Sequence, residues 1–177
     1  MHCCAALAIV VALILTTDSH AAKKPTDPRI KAPVAKAIAL IKSKFSKQRA
    51  GYRTLAAYSM VKAGEPLSSP QIVEAITKIK AKCTTSNGYR AEEEHYDIYE
   101  AGSDLMLLAD VFPEQHRVEI DTIAKHIIGR QMGNGSWTYS HEEGSDTSIT
   151  QYAMLGLWAA KRTGAEIPIA TWDRVAR

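Results

Sequence analysis

The stretch DTSITQYAMLGLWAAKRTGAEIP, residues 146–168, decides the fold, because it contains a whole helix together with the signals for its two ends. No charged residue occurs between positions 152 and 160, and a helix that is apolar on more than one side packs among neighbours. Asp146 precedes the run, where its carboxylate can accept amide protons of the first turn. Gly164 follows it, where a left-handed residue ends a helix. The stretch therefore predicts a buried helix, bounded by Asp146 and Gly164.

The rest of the chain alternates such buried segments with helices of a second kind. Proline opens a helical run at Pro33, Pro70, Pro113 and Pro168, at spacings of roughly 37, 43 and 55 residues, which is near the range of stacked helix pairs. Three runs carry an apolar stripe at three- and four-residue steps, typical of helices with one wet face. The stripes are Val34, Ala37, Ile38, Ile41 and Phe45; Ile72, Val73, Ile76 and Ile79; and Ile120, Ile123, Ile127 and Ile128.

The segments that follow these runs, at 55–63, 105–111 and 153–160, are apolar on more than one side and predict inner helices. Ser69 is a predicted N-cap before Pro70, and Gly64 a predicted helix stop. Strict alternation, which would indicate strands, is absent. The sequence predicts an all-α fold with three outer–inner helix pairs and a terminal stub at 168–177.

The first 33 residues differ in composition from this repeat. Residues 1–21 hold an apolar run too short to span a bilayer, and Ser19 and Ala21 suit signal-peptidase cleavage, which predicts export. An uncleaved anchor is the alternative, because the segment before the run has no Lys or Arg. Residues 22–33 carry prolines and lysines without periodicity and predict an extended leader, so that the domain spans 34–177.

Charge and cysteine content exclude other classes of protein. The net charge is +3 without a concentrated basic face, which argues against nucleic-acid binding. Removal of residues 1–21 would leave Cys83 as the only cysteine, so no internal disulfide is predicted. We expect membrane contact only through the signal segment, and a periplasmic or cell-envelope location.

Residues 131–137, QMGNGSW, are similar to the core of the Gln–Trp motif that repeats in squalene and hopene cyclases. The stretch after it resembles the inner-helix block of bacterial exported proteins with prenyltransferase and squalene-oxidase repeats. The resemblance covers roughly residues 33–177 and implies an α/α toroid, a ring of inner helices surrounded by outer ones. It also implies that Gln131 caps a neighbouring helix end and Trp137 packs over it, with Gly135 at the turn.

Such a ring takes about six helix pairs, and this chain supplies three. The resemblance thus implies half a ring, completed by a longer product or by another chain. The motifs of the catalytic relatives are missing: the sequence has no DxDD cluster, no prenyltransferase zinc set and no GCGEQ thioester segment. It accordingly predicts no catalytic residue, no cofactor and no metal site.

Three hypotheses for the function follow. The first is a non-catalytic binding or scaffold module of a larger envelope protein. The second is a cyclase-like or prenyltransferase-like enzyme whose catalytic residues lie outside this chain. The third is a carbohydrate-binding or carbohydrate-processing α/α barrel, suggested by Tyr and Trp residues beside carboxylates. The ligand would be a small apolar molecule or a carbohydrate.

The loops that lead from outer to inner helices, at 48–51, 84–95 and 133–145, should emerge on one side of the ring. That face and the helix starts below it are the predicted ligand face. Its candidate residues are Tyr89, His95, Tyr96, Asp97, Asp104, Tyr139, Asp146 and Gln151.

Each candidate also has an ordinary structural explanation. His95 with the glutamates before it fits a metal site less well than a solvated acidic loop, because no second His follows at ligand spacing. Asp97 and Asp146 at helix starts are better caps than general acids, since helix N-termini favour the ionised carboxylate. Asp104 is either the buried partner of a tyrosine or a cavity-facing group. Gln151 and Tyr152 contact a ligand or, preferably, a neighbouring helix.

Overall fold

The computed structural model describes residues 27–84 and 88–176. The predicted signal peptide and residues 22–26 of the predicted leader lie outside them. The described part contains seven α-helices: α1 Pro28–Lys44, α2 Ala50–Lys62, α3 Pro70–Lys82, α4 Asp97–Asp110, α5 Arg117–Gly129, α6 Thr147–Arg162 and α7 Ile169–Val175. Single 3-10 turns at Phe45–Lys47, Glu94–Tyr96 and Pro113–His116 join them.

The prediction of an all-α fold is confirmed, with one small exception. A two-stranded antiparallel hairpin, β1 Cys83–Thr84 and β2 Gly88–Tyr89, follows α3, and Cys83 lies opposite Tyr89. Strands of two residues are too short to produce an alternating pattern, so periodicity could not reveal them. None of the helices in the described ranges has the length and apolar character that a bilayer span requires.

Helix α1 begins earlier than predicted. The Asp27 carboxylate accepts a hydrogen bond from the Arg29 amide at 2.9 Å, and Pro28 occupies the first helical position, where its missing N–H is harmless. Pro33 lies inside the helix. The prediction of an extended leader is therefore wrong for residues 28–33: Asp27 and Pro28 start the helix, and Pro33, at its sixth position, removes one backbone hydrogen bond without ending it.

Helix α4 lies at the centre of the fold, with α2 on one side and α6 on the other. Twelve of its 14 residues are buried. It approaches α6 most closely where two glycines face each other: a Cβ added to Gly156 would lie 2.8 Å from the Cα of Gly102. The three predicted inner helices are thus neighbours, although Leu155 and Trp158 on α6 are 40% and 56% exposed.

The predicted outer helices bury one stripe each. In α3 and α5 the isoleucines Ile72, Ile79, Ile120, Ile123 and Ile127 are fully buried. Helix α3 packs mainly on α2, and α5 packs on α4 and α6. Two predicted stripe residues, Ala37 and Val73, are exposed, because each lies at the edge of its stripe.

The helix ends follow the predicted signals with one exception. Asp146 is the N-cap of α6 and accepts a hydrogen bond from the Ile149 amide at 2.8 Å, and Gly64 and Gly164 have positive φ. Ser69 stands at the N-cap position of α3, but its hydroxyl makes no capping hydrogen bond. The prediction of a side-chain cap at Ser69 is wrong, because the Ile72 amide, the third of the helix, donates to the Ser69 carbonyl at 2.9 Å instead.

Residues 131–137, here called the Gln–Trp segment, follow α5 in the chain and contact α7. The Trp137 side chain is fully buried, and its indole N–H donates to the Ile127 carbonyl at 2.7 Å. The Gln131 amide group donates to the Gly135 carbonyl at 2.9 Å and to the Thr171 carbonyl of α7 at 3.0 Å. The segment thus joins the end of α5 to a carbonyl of the last helix.

Candidate functional site

The N-terminal ends of α2, α4 and α6 meet at one open cavity of about 500 Å³, here called the tyrosine pocket. Each of the three predicted loops contributes to it, as expected if they emerge on one side. The pocket is lined by Arg49, Gly51, Tyr52, Leu55, Glu93, Tyr96, Tyr99, Ser103, Tyr139, Ser148 and Tyr152.

Five of the chain's seven tyrosines line this pocket. Tyr99 makes an edge-to-face contact with Tyr152 at 4.8 Å between ring centroids, and Tyr139 lies 5.8 Å from Tyr96 and 6.1 Å from Tyr99. These separations are in the favourable range for aromatic pairs. Tyr52, at 63% exposure, stands at the rim. The result is a partly rigid aromatic wall with its phenol groups accessible.

A chain of hydroxyl groups runs along this wall to a carboxylate. The Tyr139 phenol lies beside Tyr99, Tyr99 is hydrogen-bonded to Ser148, and the Ser148 hydroxyl donates to the Asp146 carboxylate at 2.5 Å. We call these four residues the hydroxyl chain. The neighbouring Tyr99 hydroxyl, together with burial and nearby Asp146, raises the pKa of Tyr139 to about 12. The hydrogen bond from Ser148 and that from the Ile149 amide lower the pKa of Asp146.

These shifts favour a neutral Tyr139 phenol near an ionised Asp146 carboxylate at neutral pH. A tyrosine whose pKa is raised in this way is a poor general base or nucleophile at that pH. It remains a donor and acceptor of hydrogen bonds. The wall therefore suits polar recognition better than proton transfer.

Charges at the rim are paired. Arg49 and Glu93 lie 3.5 Å apart, and Arg53 binds Glu92 at 2.8 Å. The Glu100 carboxylate accepts hydrogen bonds from the amides of Glu92 and Glu93 at 3.0 and 2.9 Å. The loop that carries Glu93 to the pocket is therefore fixed from below by a buried side chain.

The predicted ligand-face residues divide into separate groups. Tyr96 and Tyr139 line the tyrosine pocket, and His95 stacks on Tyr139 at 4.7 Å. Asp146 reaches the pocket only through Ser148. Gln151 is exposed and does not belong to the pocket lining.

Asp97 is not the helix cap that the sequence predicted. The N-cap of α4 is Tyr96, and the buried Asp97 carboxylate instead binds His126 and Arg130 at 3.0 Å and Ser140 at 3.2 Å. We call these four residues the Asp97 network. Although burial alone would raise it, the pKa of Asp97 is lowered by His126 and Arg130. His126 lies on α5, Arg130 at its C-cap and Ser140 in the third loop, so the sequence around Asp97 gives no indication of these partners.

Asp104 lies in the core, so its placement on a ligand face is wrong, whereas Tyr89, although largely buried, lines a second cavity together with Asp97. Asp104 is fully buried; it binds Lys82 at 2.5 Å and accepts hydrogen bonds from Tyr89 at 3.0 Å and Thr54 at 2.9 Å. Of the two explanations considered for Asp104, the buried partner of a tyrosine is confirmed. Lys82 also binds Glu100 at 3.2 Å. We call these five residues the Lys82 network.

Burial alone would lower the pKa of Lys82, but Asp104 and Glu100 outweigh it and raise the pKa. The ammonium group therefore stays charged between its two carboxylates. This network is a structural feature, because it connects α2, α3, α4 and the hairpin without opening to the tyrosine pocket.

Sequence reasoning missed several residues of the pocket: Arg49, Tyr52, Leu55, Tyr99, Ser103 and Ser148. A signal was present, since Tyr52 and Tyr99 are each the third residue of an inner helix. A tyrosine in the first turns of successive inner helices points to the same end of the fold. The sequence-based prediction considered Tyr152 of α6 but not the corresponding tyrosines of α2 and α4.

No group of three or more His, Cys, Asp and Glu side chains in residues 27–84 and 88–176 is arranged to hold a metal ion. The two histidines of the acidic loops make surface pairs, His141 with Glu94 at 3.2 Å and His95 with Glu142 at 3.9 Å. No protein-family model matches the chain, and comparisons with curated proteins and with solved structures found no match. The function is therefore argued from the site.

Proposed function

We propose that this chain is an exported α/α-toroid module that binds a ligand without transforming it, as part of a larger envelope protein. The observation that carries the proposal is the tyrosine pocket, at the convergent N-terminal ends of three inner helices. A cavity of about 500 Å³ lies in the usual size range of small-ligand sites. Aromatic walls with a few fixed polar groups are also typical of such sites.

The proposal of binding without catalysis is supported by the state of the acidic groups. Glu93 is paired with Arg49, and Asp146 is occupied as a helix cap with a lowered pKa. A general acid needs a pKa near the working pH. The lowered pKa of Asp146 does not meet that requirement, and Glu93 is engaged in its ion pair with Arg49, so recognition is the better use of the pocket.

The half-ring proposal is supported by the exposed face of α6. Leu155 and Trp158 lie three positions apart on that helix and are both exposed. In the proposed ring, a further inner helix would cover this face. That helix would come from a longer product or from another chain.

The binding function can be tested with tyrosine rings labelled with ¹³C. We would titrate the protein with a fragment library and follow all tyrosine ring signals together with the signals of each compound. Binding at the pocket should shift signals of Tyr52, Tyr96, Tyr99, Tyr139 and Tyr152. Tyr58 and Tyr89, outside or below the pocket, are internal controls.

Two results would contradict the proposal. If no compound shifts the pocket tyrosines, the pocket is not a binding site. If a compound that shifts them is converted to a product, the module is an enzyme. Export is tested separately, by sequencing the N-terminus of the protein recovered from the cell envelope, where cleavage after Ala21 is expected.

A further inference from the structure

We propose that the tyrosine pocket binds a neutral carbohydrate, with one sugar ring stacked on Tyr52 at the rim and its hydroxyl groups bonded to the hydroxyl chain. This inference rests on the proposed binding function and adds the class of the ligand. The wall of the pocket presents aromatic rings on its faces and hydroxyl groups at its edges.

The rim of the pocket supplies the apolar contacts. A sugar ring has an apolar C–H face that can lie against an aromatic ring. Tyr52 is 63% exposed and Tyr96 is 36% exposed, so both present ring surface to solvent at the pocket. Covering a large aromatic surface that is otherwise exposed to water is favourable, so a ligand that covers these rings is stabilised.

The inner wall of the pocket supplies the polar contacts. The Tyr99 hydroxyl is hydrogen-bonded to Ser148, which donates to Asp146, and the Tyr139 phenol lies beside Tyr99. Because the protons of Ser148 and Tyr99 are directed toward the carboxylate, these two hydroxyl oxygens are left as acceptors, whereas the Tyr139 hydroxyl can donate or accept. The hydroxyl groups of a sugar are both donors and acceptors, and they match this wall.

Other ligand classes fit less well. An isoprenoid would bury phenol and serine hydroxyls without giving them a partner, which is costly; Leu55 is the sole aliphatic side chain of the lining. A cation would meet Arg49 and the positive ends of three helix dipoles. An anion would find Arg49 already paired with Glu93 at 3.5 Å. A neutral hydroxylated ring satisfies the wall without these conflicts.

The experiment uses the same ¹³C-tyrosine protein with defined probes. The neutral panel is cellohexaose, xylohexaose, mannohexaose, maltohexaose and chitohexaose; the comparison probes are farnesol, choline and trigalacturonate. At least one neutral oligosaccharide should shift the Tyr52 and Tyr99 ring signals in a saturable manner. The three comparison probes should leave them in place.

Variants then separate stacking from hydrogen bonding. Tyr52→Ala should weaken binding of the active oligosaccharide roughly ten-fold, because it removes the rim ring. Tyr99→Phe should weaken it to a similar extent, because it keeps the ring but interrupts the hydroxyl chain. Trp158→Ala, at an exposed aromatic residue outside the pocket lining, is the control and should not change the affinity.

The outcomes distinguish this inference from the proposed function. If farnesol, choline or trigalacturonate shifts the pocket tyrosines and no neutral sugar does, the carbohydrate inference is wrong and the binding function stands. If neither the sugars nor the fragment library shift them, both fail. If a sugar binds with an affinity that both pocket variants leave unchanged, it binds elsewhere, and the inference is overturned.

Discussion

Gly135 occupies a backbone conformation and a space that glycine alone fits. Its φ is +85°, and an added Cβ would lie 2.0 Å from the carbonyl oxygen of Arg174 in α7. We expect Gly135→Ala to lower the free energy of unfolding by at least about 2 kcal/mol, because a left-handed alanine costs roughly 1–2 kcal/mol before the clash is counted. Urea unfolding measures the loss.

Gly144 provides a matched control for this prediction. Its φ is +95°, but nothing lies within 4 Å of an added Cβ. Gly144→Ala should therefore lose only the stability that a left-handed backbone costs an alanine, with no further loss from a steric clash. Equal losses in the two variants would mean that the contact between the Gln–Trp segment and α7 contributes nothing to stability.

Cys83 should be chemically inert in the folded protein. It is partly buried, and burial together with nearby Asp104 raises the pKa of its thiol to about 12. Because the thiolate is the reactive form, we expect negligible alkylation by iodoacetamide at pH 8 in the native state and full alkylation in urea. Mass spectrometry of the tryptic peptide 83–90 measures this residue separately from the two cysteines near the N-terminus. Rapid native labelling would contradict the prediction.

At the scale of elements, the crossing of α4 and α6 depends on two glycines. An added Cβ on Gly102 would lie 2.5 Å from the backbone oxygen of Tyr152, and one on Gly156 would lie 2.8 Å from the Cα of Gly102. Backbone atoms cannot move aside without separating the helices. We expect Gly102→Ala to destabilise the fold by about 1–3 kcal/mol, the usual cost of overpacking, less what alanine gains in helix propensity.

Gly129 supplies the comparison for this crossing. It lies at the end of α5, and nothing is within 4 Å of an added Cβ. Gly129→Ala should leave the fold as stable as before or stabilise it by up to about 1 kcal/mol. Thermal unfolding of the two variants tests the prediction, and a stabilised Gly102→Ala variant would show that α4 and α6 do not approach as closely as described.

Elements were predictable where one apolar stripe or one uncharged run decides the structure. Helices α3, α5 and α6 have such patterns, and Asp146 marks the start of α6 by a local hydrogen bond. The start of α1 and the hairpin were missed because their signals are local turn geometry with almost no periodicity. The close approach of α4 and α6 at Gly102 could not be predicted either, because it depends on two segments that are far apart in the sequence.

The candidate site was only partly predictable for the same reason. The sequence predicted that the loops emerge at one end of the helices, and it named Tyr96 and Tyr139, which line the tyrosine pocket there. It could not separate residues that reach the tyrosine pocket from Tyr89, whose hydroxyl bonds to Asp104 in the core. The distinction depends on which side chain meets a buried partner from another helix, and no single segment contains that information.

At the scale of the molecule, two buried polar networks connect elements that are far apart in sequence. The Lys82 network joins α2, α3, α4 and the hairpin, whereas the Asp97 network joins the start of α4 to α5 and to the loop before α6. A buried charge without its partner is costly. Removal of one charged partner from either network should therefore destabilise the whole fold.

The Asp97 network should give the protein a specific sensitivity to acid. The pKa of Asp97 is lowered in the folded state, so its contribution to stability is present above the unfolded value, roughly 3.9, and is lost as the pH falls through the folded pKa. We expect Asp97→Asn to destabilise the fold by roughly 2 kcal/mol at pH 7, since hydrogen bonds to a charged group are lost.

Below the unfolded value of roughly 3.9 the unfolded parent takes up a proton that folded Asp97 resists, so the difference in stability between parent and Asp97→Asn should shrink as the pH falls further. Urea unfolding at pH 7, 5, 4 and 3 measures this convergence, and Asp173→Asn, at an exposed position on α7, is the control that should follow the parent at every pH. A difference that stayed constant down to pH 3 would mean that Asp97 contributes through packing alone. The ionised carboxylate would then have no part in holding α4 to α5.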